Sequence, residues 1–393
     1  MEFNKAFSFR FYPTKDQEKS LLDQFGASRF VFNYFLRQRI DFYAAHRGEK
    51  KQSLNYFDTA KMLTVLKAAP DAAWLNETNS QSLQSALKRL DVAYNNFFNK
   101  RAEFPKFKSK RSKQSFIVPQ NFTVSNGAIK IPKLGTLKVV DHRAIEGQPK
   151  SVTISRTKTG KYFASVLCKI NKSVKAKKSG GKIGIDLGLK IFAVTSDGER
   201  IESPRHLRAA ERRLKRLQRA VSRKNKGSNN RTKAVKLLGI QHEKVTNRRK
   251  DFLHKQSSRL VCENQEICTE SLNVKGMSAN HHLAKSIADA GWGEFLRQLA
   301  YKSEWNGVRF NQLDRFFPSS KRCFACGWTN SGLTLKDREW TCLECKAVLD
   351  RDWNAAKNIF HFAHQSSKSR AGRARTKRPG RVAGLADLGS PRL

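Results

Sequence analysis

The chain has 393 residues with 77 Lys and Arg against 33 Asp and Glu, a formal net charge of +44. Such an excess condenses onto polyanions, exceeds what solubility asks of a surface, and makes nucleic acid the first partner to test. With 39% hydrophobic residues there is apolar material for two or three cores, which excludes a disordered polycation. No window approaches the ~18 apolar residues of a membrane span, and MEFNKAFSFRF lacks a cationic lead into an apolar run, so the expectation is a soluble, cytoplasmic protein.

Phe7, Phe9 and Phe11 alternate with polar residues, the period of a half-buried strand that Pro13 closes. Thr14 with Gln17 forms a capping-box signature that opens helical segments through about Lys100. One of these carries Leu83, Leu87, Leu90, Tyr94 and Phe97 on a single face, a core stripe. FPKFKSKRSKQSF then reads as a basic linker, after which strand signals continue to about Ile170. Asn126-Gly127 and Thr159-Gly160 each sit between two strand-like runs, so two hairpins of a small antiparallel barrel or sheet are expected. NKSVKAKKSGG is polar, basic and Gly-ended, the composition of a join.

KIGIDLG, LKIFAVTS and the Asp197-Gly198 turn predict two apolar strands entering a hairpin, the opening of an RNase H-like sheet with Asp186 at the end of its first strand. Between Arg205 and Lys255 stand 18 basic residues and three acids. The spacing of Leu207, Ala210, Leu214, Leu217 and Val221, and of Leu238, Val245 and Phe252, predicts two helices paired as a hairpin across the flexible loop SRKNKGSNNRTK. A charge run is most often a solvated face, but this density favours an arm that contacts phosphates. EICTE places Glu270 at the end of a short strand, EFLRQLAYKSEW is helical, and VRFNQL is again a strand. The tail from Ser366 to Arg381 holds seven basic residues and no acid, and is expected to be disordered.

Seven cysteines include the pairs Cys323/Cys326 and Cys342/Cys345, 15 residues apart, the C-x2-C…C-x2-C spacing with which two knuckles offer four thiolates to a tetrahedral Zn²⁺. Gly327 permits the tight turn of the first knuckle. Four protein ligands leave no open position, so this zinc is structural. Asp350 and Asp352 follow at once, before an Ala-rich helix. An Asp there is a good N-cap, and for either residue alone capping is the stronger reading. Taken with Asp186 and Glu270, however, the acids could converge in one crevice that holds two Mg²⁺ or Mn²⁺ for phosphodiester hydrolysis.

GIDLG, TESLNVKGM, CFAC, CLEC and DRDWNAAKNI in this order resemble the RuvC nuclease and zinc-ribbon region of TnpB, the transposon-encoded RNA-guided nuclease related to type V CRISPR effectors. FRFYPTKDQEKSLLDQFGASRFVFNYFL, FPKFKSKRSKQSF and the basic hairpin resemble it too, so the likeness runs from about Phe7 to Phe360. It implies a multi-domain α+β fold in which residues 1–13 and 101–178 form a wedge-like β-barrel and 14–100 an inserted helical recognition lobe. It further places the RuvC domain at 179–314 and 349–363, the zinc ribbon at 315–348 and a basic tail at 364–393. It implies that Asp186, Glu270 and Asp352 bind catalytic Mg²⁺ or Mn²⁺ while Asp350 supports the turn, and that Cys323, Cys326, Cys342 and Cys345 bind Zn²⁺. Guide RNA from the transposon end and target DNA beside a short motif are the implied partners, in a prokaryotic cell; one chain on each RNA is the expectation, while the sequence itself leaves one and two open. One departure is Ser271, where the family often has Asp. The activity implied is RNA-guided cleavage of double-stranded DNA; the alternative is a guided DNA-binding regulator or transposition accessory that does not cut.

Overall fold

A computed structural model describes residues 2–49, 53–111, 113–178, 180–334 and 336–374, with side chains to residue 365. The chain divides into two compact units, Met1–Ser173 and Val174–Leu393.

In the first unit β1 (Glu2–Phe11) leads into α1 (Lys15–Ala45), whose first turn is closed by the expected capping box. Thr14 Oγ1 accepts from the Gln17 amide while the Gln17 side chain accepts from the Thr14 amide. Helix α2 (Tyr56–Ala68), a 3-10 segment (Pro70–Glu77) and α3 (Ser80–Phe98) follow. Leu83, Leu87 and Leu90 of α3 pack with Val31, Phe35 and Leu36 of α1 and with Leu63 and Leu75, so the Leu stripe is core.

Six strands complete the unit: β2 (Gln114–Val118), β3 (Thr123–Ser125), β4 (Ala128–Ile131), β5 (Gly135–Lys138), β6 (Gln148–Arg156) and β7 (Tyr162–Asn171). They form two antiparallel sheets, β1-β7-β6-β2 and β3-β4-β5, linked by an isolated bridge between Phe11 and Val139. Both expected hairpins are present, with Gly127 and Gly160 at φ 68° and 88° in the turns. Phe7, Phe9 and Phe11, each no more than 2% exposed, face one core shared by the two sheets. The linker is shorter than its sequence indicates, because Gln114, Ser115 and Phe116 already pair with β6.

The second unit is built on a five-stranded sheet of order β10-β9-β8-β11-β12. Strands β8 (Gly181–Leu187), β9 (Ile191–Thr195) and β10 (Arg200–Glu202) form an antiparallel meander. The chain then leaves through α4 (His206–Ser222) and the 35-residue α5 (Asn229–Glu263), and returns as β11 (Asn264–Glu270), parallel to β8. Helices α6 (Val274–Met277), α7 (His281–Ala290) and α8 (Trp292–Asn306) precede β12 (Arg309–Leu313), which is parallel to β11. This is the RNase H-like sheet that the opening strands announced.

The basic hairpin is α4 against α5, with Leu214 and Val245 buried. Its loop is only 223–228, since Ser228 caps α5 by accepting from the Arg231 amide, and half of the residues expected to be flexible are helical. Beyond the hairpin, Leu253 and Leu260 of α5 and Phe295 and Leu299 of α8 cover Ile183, Ile185 and Ile267 on one face of the sheet.

A cysteine-bearing segment containing β13 (Glu339–Thr341) and β14 (Val348–Asp350) leads to α9 (Arg351–Ala374). Helix α9 covers the opposite face, where Ile359 and Ala363 pack on Cys268. The disorder expected from residue 364 does not hold for the part that is described, whose backbone is helical to Ala374; the rest of the tail lies outside the described residues.

Candidate active site and thiolate cluster

Strand alternation decides which side chains meet α9. Ile183 and Ile185 point into the core beneath α5 and α8, so Gly184 and Asp186 point to the other face. The parallel register sets Cys268 beside Gly184 and Thr269 beside Ile185, which puts Glu270 level with Asp186 at the carboxyl ends of adjacent strands. At Gly184 the helix comes so close that an added Cβ would overlap the Ala356 carbonyl oxygen and lie 2.6 Å from Phe360 Cβ. Asp352 is one turn before Ala356 on that same side of α9, above the strand ends.

Asp350 and Asp352 do different work. The Asp350 carboxylate accepts from the Trp353 amide at 2.8 Å and from Arg200 Nη2 at 2.8 Å, which makes it the N-cap of α9. Asp352, with its side chain 18% exposed, is gripped by two guanidinium groups. Arg351 Nε and Nη2 donate to Oδ1 at 3.1 and 2.9 Å, and Arg338 Nη1 donates to Oδ2 at 3.0 Å.

Electrostatics ties the three acids together. Burial, then the negative charges of Glu270 and Asp352, hold the Asp186 carboxyl well above the usual carboxylate range, against the opposing pull of Arg351 and the Leu187 amide. Burial also raises Glu270, while the Ser319 hydroxyl, donating to its Oε1, opposes that shift. An acid whose proton affinity two neighbouring carboxylates raise marks a site that a divalent cation would relieve, and an all-carboxylate donor set suits a hard ion such as Mg²⁺ or Mn²⁺. The donors fit in kind and converge, but they are not closed up: among the described residues the one group of three or more ligating side chains with all donor atoms within 4.8 Å is a set of cysteines. Asp352 would have to loosen its hold on Arg338 to join a shared ion.

That cysteine set is Cys323, Cys326, Cys342 and Cys345. The Cys323–Cys345 and Cys326–Cys342 sulfur atoms are 3.7 and 3.5 Å apart. A tetrahedron with Zn–S bonds of about 2.3 Å has edges of about 3.8 Å, so the cluster has the size of a Zn²⁺ shell. The knuckles share one hydrogen-bond pattern: the Gly327 and Lys346 amides donate to the Cys323 and Cys342 carbonyls, and the Cys323 and Cys342 amides donate to the Trp328 and Ala347 carbonyls. Gly327 and Lys346 both adopt positive φ, 85° and 60°. Asn354 and Asn358 of α9 stitch this segment to the helix, donating to the carbonyls of Arg322 and Ser319 and accepting from the Phe324 amide.

Ser319, Arg338 and Arg351 escape a reading by sequence. Ser319 is 49 residues from the Glu270 it bonds, and basic residues are too common here for two of them to stand out.

Three family models match the chain: "Probable transposase" over residues 165–281, "Cas12f1-like, TNB domain" over 292–359 and "Helix-turn-helix domain" over 1–48. The last description does not suit the local structure, since residues 2–48 hold a strand and one unbroken helix, α1. A Streptomyces pristinaespiralis protein named as an RNA-guided DNA endonuclease is 40% identical over 411 residues, covering 100% of this chain and 99% of its own. The Escherichia coli protein named as RNA-guided DNA endonuclease InsQ is 34% identical, covering 92% of each. A solved Cas12f1 complex with guide RNA and target DNA matches in fold at a TM-score of 0.55 and 12% identity, over 91% of this chain and 98% of that one.

Proposed function

Since the chain belongs to the TnpB family of transposon-encoded RNA-guided nucleases, we propose that it cuts double-stranded DNA selected by a bound guide RNA, with Asp186, Glu270 and Asp352 as the catalytic residues. The observation that carries this reading is the convergence of the three acids where the first turn of α9 meets the strand ends, two of them raising the proton affinity of the third. Bound there, two Mg²⁺ or Mn²⁺ ions would polarise the scissile phosphate and activate a water. Asp186 and Glu270, on adjacent strand ends, supply the rigid part of the site. Asp352 would supply the adjustable part: it would hold a cation on loosening its bond to Arg338, whose partly exposed guanidinium would then be free for a substrate phosphate. Ser319 donates to Oε1 of Glu270 and so steadies the carboxylate.

Each DNA strand passes through this one site in turn. The β-sheets of the first unit act as the wedge and its helices as the recognition lobe; 205–255 is the arm that grips RNA and DNA backbones, and the four cysteines hold a structural Zn²⁺ in the ribbon. The protein works in the cytoplasm, at the nucleoid when on DNA, as one chain per guide RNA.

The test is a plasmid cleavage assay with the co-purified RNA and Mg²⁺. Asp352→Ala should abolish cutting of both strands while RNA binding and the melting temperature stay near those of the parent. Cutting retained with a large fall in melting temperature would make Asp352 a purely structural residue. Target binding without cutting by the parent would favour the guided regulator.

A further inference from the structure

The basic segment before β2 has a role in the first unit that the nuclease chemistry does not use. It folds back over α1 and α3: the Lys108 amide and carbonyl are both pinned by the Asn33 side chain at 2.8 Å, and the Lys108 ammonium lies 3.4 Å from the Phe32 ring centroid. The cavity beneath it is lined by Arg29 and Ser28 of α1, Ser85 and Arg89 of α3, and Lys108 and Lys113 of the segment, and among the described residues no acid lines it. Arg29 donates to Gln114 at 3.0 Å, and among the described residues none of Arg89, Lys108 and Lys113 has a carboxylate partner. Burial, and then the positive charge of Arg89, bring the Lys108 amine down to about 8, so the cavity holds cations together against their repulsion. The Ser28 hydroxyl, on a residue 7% exposed, has no hydrogen-bond partner among the described residues.

Unopposed guanidinium and ammonium groups around an unpartnered hydroxyl are the complement of a tetrahedral oxyanion. We infer that this cavity of α1, α3 and the segment before β2 seats one backbone phosphate of a bound nucleic acid. The oxyanion chemistry stands on the cavity itself; its assignment to a nucleic-acid backbone rests on the function proposed above. Seating the anion pairs Lys108 and Arg89, and a small turn of Ser28 lets its hydroxyl donate. It would also fix the register of the strand relative to α1 and α3, which a diffuse basic surface cannot do.

Full-length protein freed of nucleic acid is tested with two probes: inorganic phosphate against chloride at equal ionic strength, read by thermal melting, and the co-purified RNA, read by anisotropy over a salt series. The variants are Arg89→Gln and Lys108→Gln, with Lys130→Gln, exposed on β4, as the charge-matched control. The expected result is a phosphate-induced rise in melting temperature for the parent and control, lost in both cavity variants. Their affinity for RNA should fall about tenfold and the slope of log K against log salt by about one. Arg89→Gln guards against misfolding of Lys108→Gln, since it leaves the Lys108 ammonium on the Phe32 ring. Cavity variants that match Lys130→Gln in both readouts overturn the proposal. A phosphate effect without any effect on RNA binding overturns the nucleic-acid assignment. A parent that binds no RNA overturns the proposed function, and with it the identity of the ligand, whether or not phosphate still stabilises the cavity.

Discussion

Gly184→Ala tests the seat of α9 on the sheet. The new Cβ would lie 2.6 Å from Phe360 Cβ and 2.7 Å from the Phe360 nitrogen, and it would overlap the Ala356 carbonyl oxygen. Carbon atoms pack at about 3.5–4.0 Å, so helix and strand must part by about 1 Å. These obstacles are helix backbone and a Cβ, which no rotamer change removes. Overpacking of this kind costs about 1–3 kcal/mol. In a unit of about this size each kcal/mol lowers the melting temperature by about 2–4 °C, so a fall of about 2–12 °C is expected. Because α9 carries Asp352, the same shift displaces one acid from the other two, and a 1 Å error in a reacting constellation costs about 10²-fold in rate. Calorimetry reads the first effect and single-turnover plasmid cleavage the second. A variant that melts and cuts like its parent would refute the close packing of α9 on β8 and the site built upon it.

Cys342→Ser should reduce bound zinc from one per chain to none by elemental analysis and unravel the segment 315–348, since a structural Zn²⁺ site supplies about 10–16 kcal/mol of apparent binding energy to its fold. Lys346→Gly should slow zinc loss to a chelator and stabilise the ribbon by up to about 1 kcal/mol, because Lys346 holds a left-handed conformation that glycine adopts freely. Glu294→Gln should flatten the acid limb of stability. Bonding to Arg297 lowers the folded-state Glu294 carboxyl to about 2, so its contribution is whole above the unfolded value near 4.5 and is lost as pH falls toward 2. A denaturation series between those pH values should show a shallower decline for the variant.

Local rules carried the sequence reading far where a short stretch determines its own structure. The Thr14–Gln17 box, the Phe7–Phe9–Phe11 alternation, the two hairpin turns and the paired knuckles are each decided within a few residues. The RNase H-like sheet was visible in its opening strands because apolar β-branched runs and a Gly turn specify a meander. The separate duties of Asp350 and Asp352 were harder to see. Both satisfy the preferences of a helix start, and only the Trp353 amide on one and the charges of Asp186, Arg338 and Arg351 around the other tell them apart. Ser319 and Arg338 reach the acids through the return of a long segment, a relation that no spacing encodes. The basic linker misled in a different way, since polar composition hid the Asn33 clasp that fixes its path.

The asparagine stitches of Asn354 and Asn358 bear on any attempt to shorten this protein. Excising the metal-clamped finger would strip two amide side chains of their carbonyl seats and leave them stranded on the helix. It would also take away the hydroxyl that steadies Glu270. A trimmed variant would therefore have to replace those anchors before its acids could stand in register, and the finger is better regarded as scaffolding for the cutting centre than as a detachable appendage.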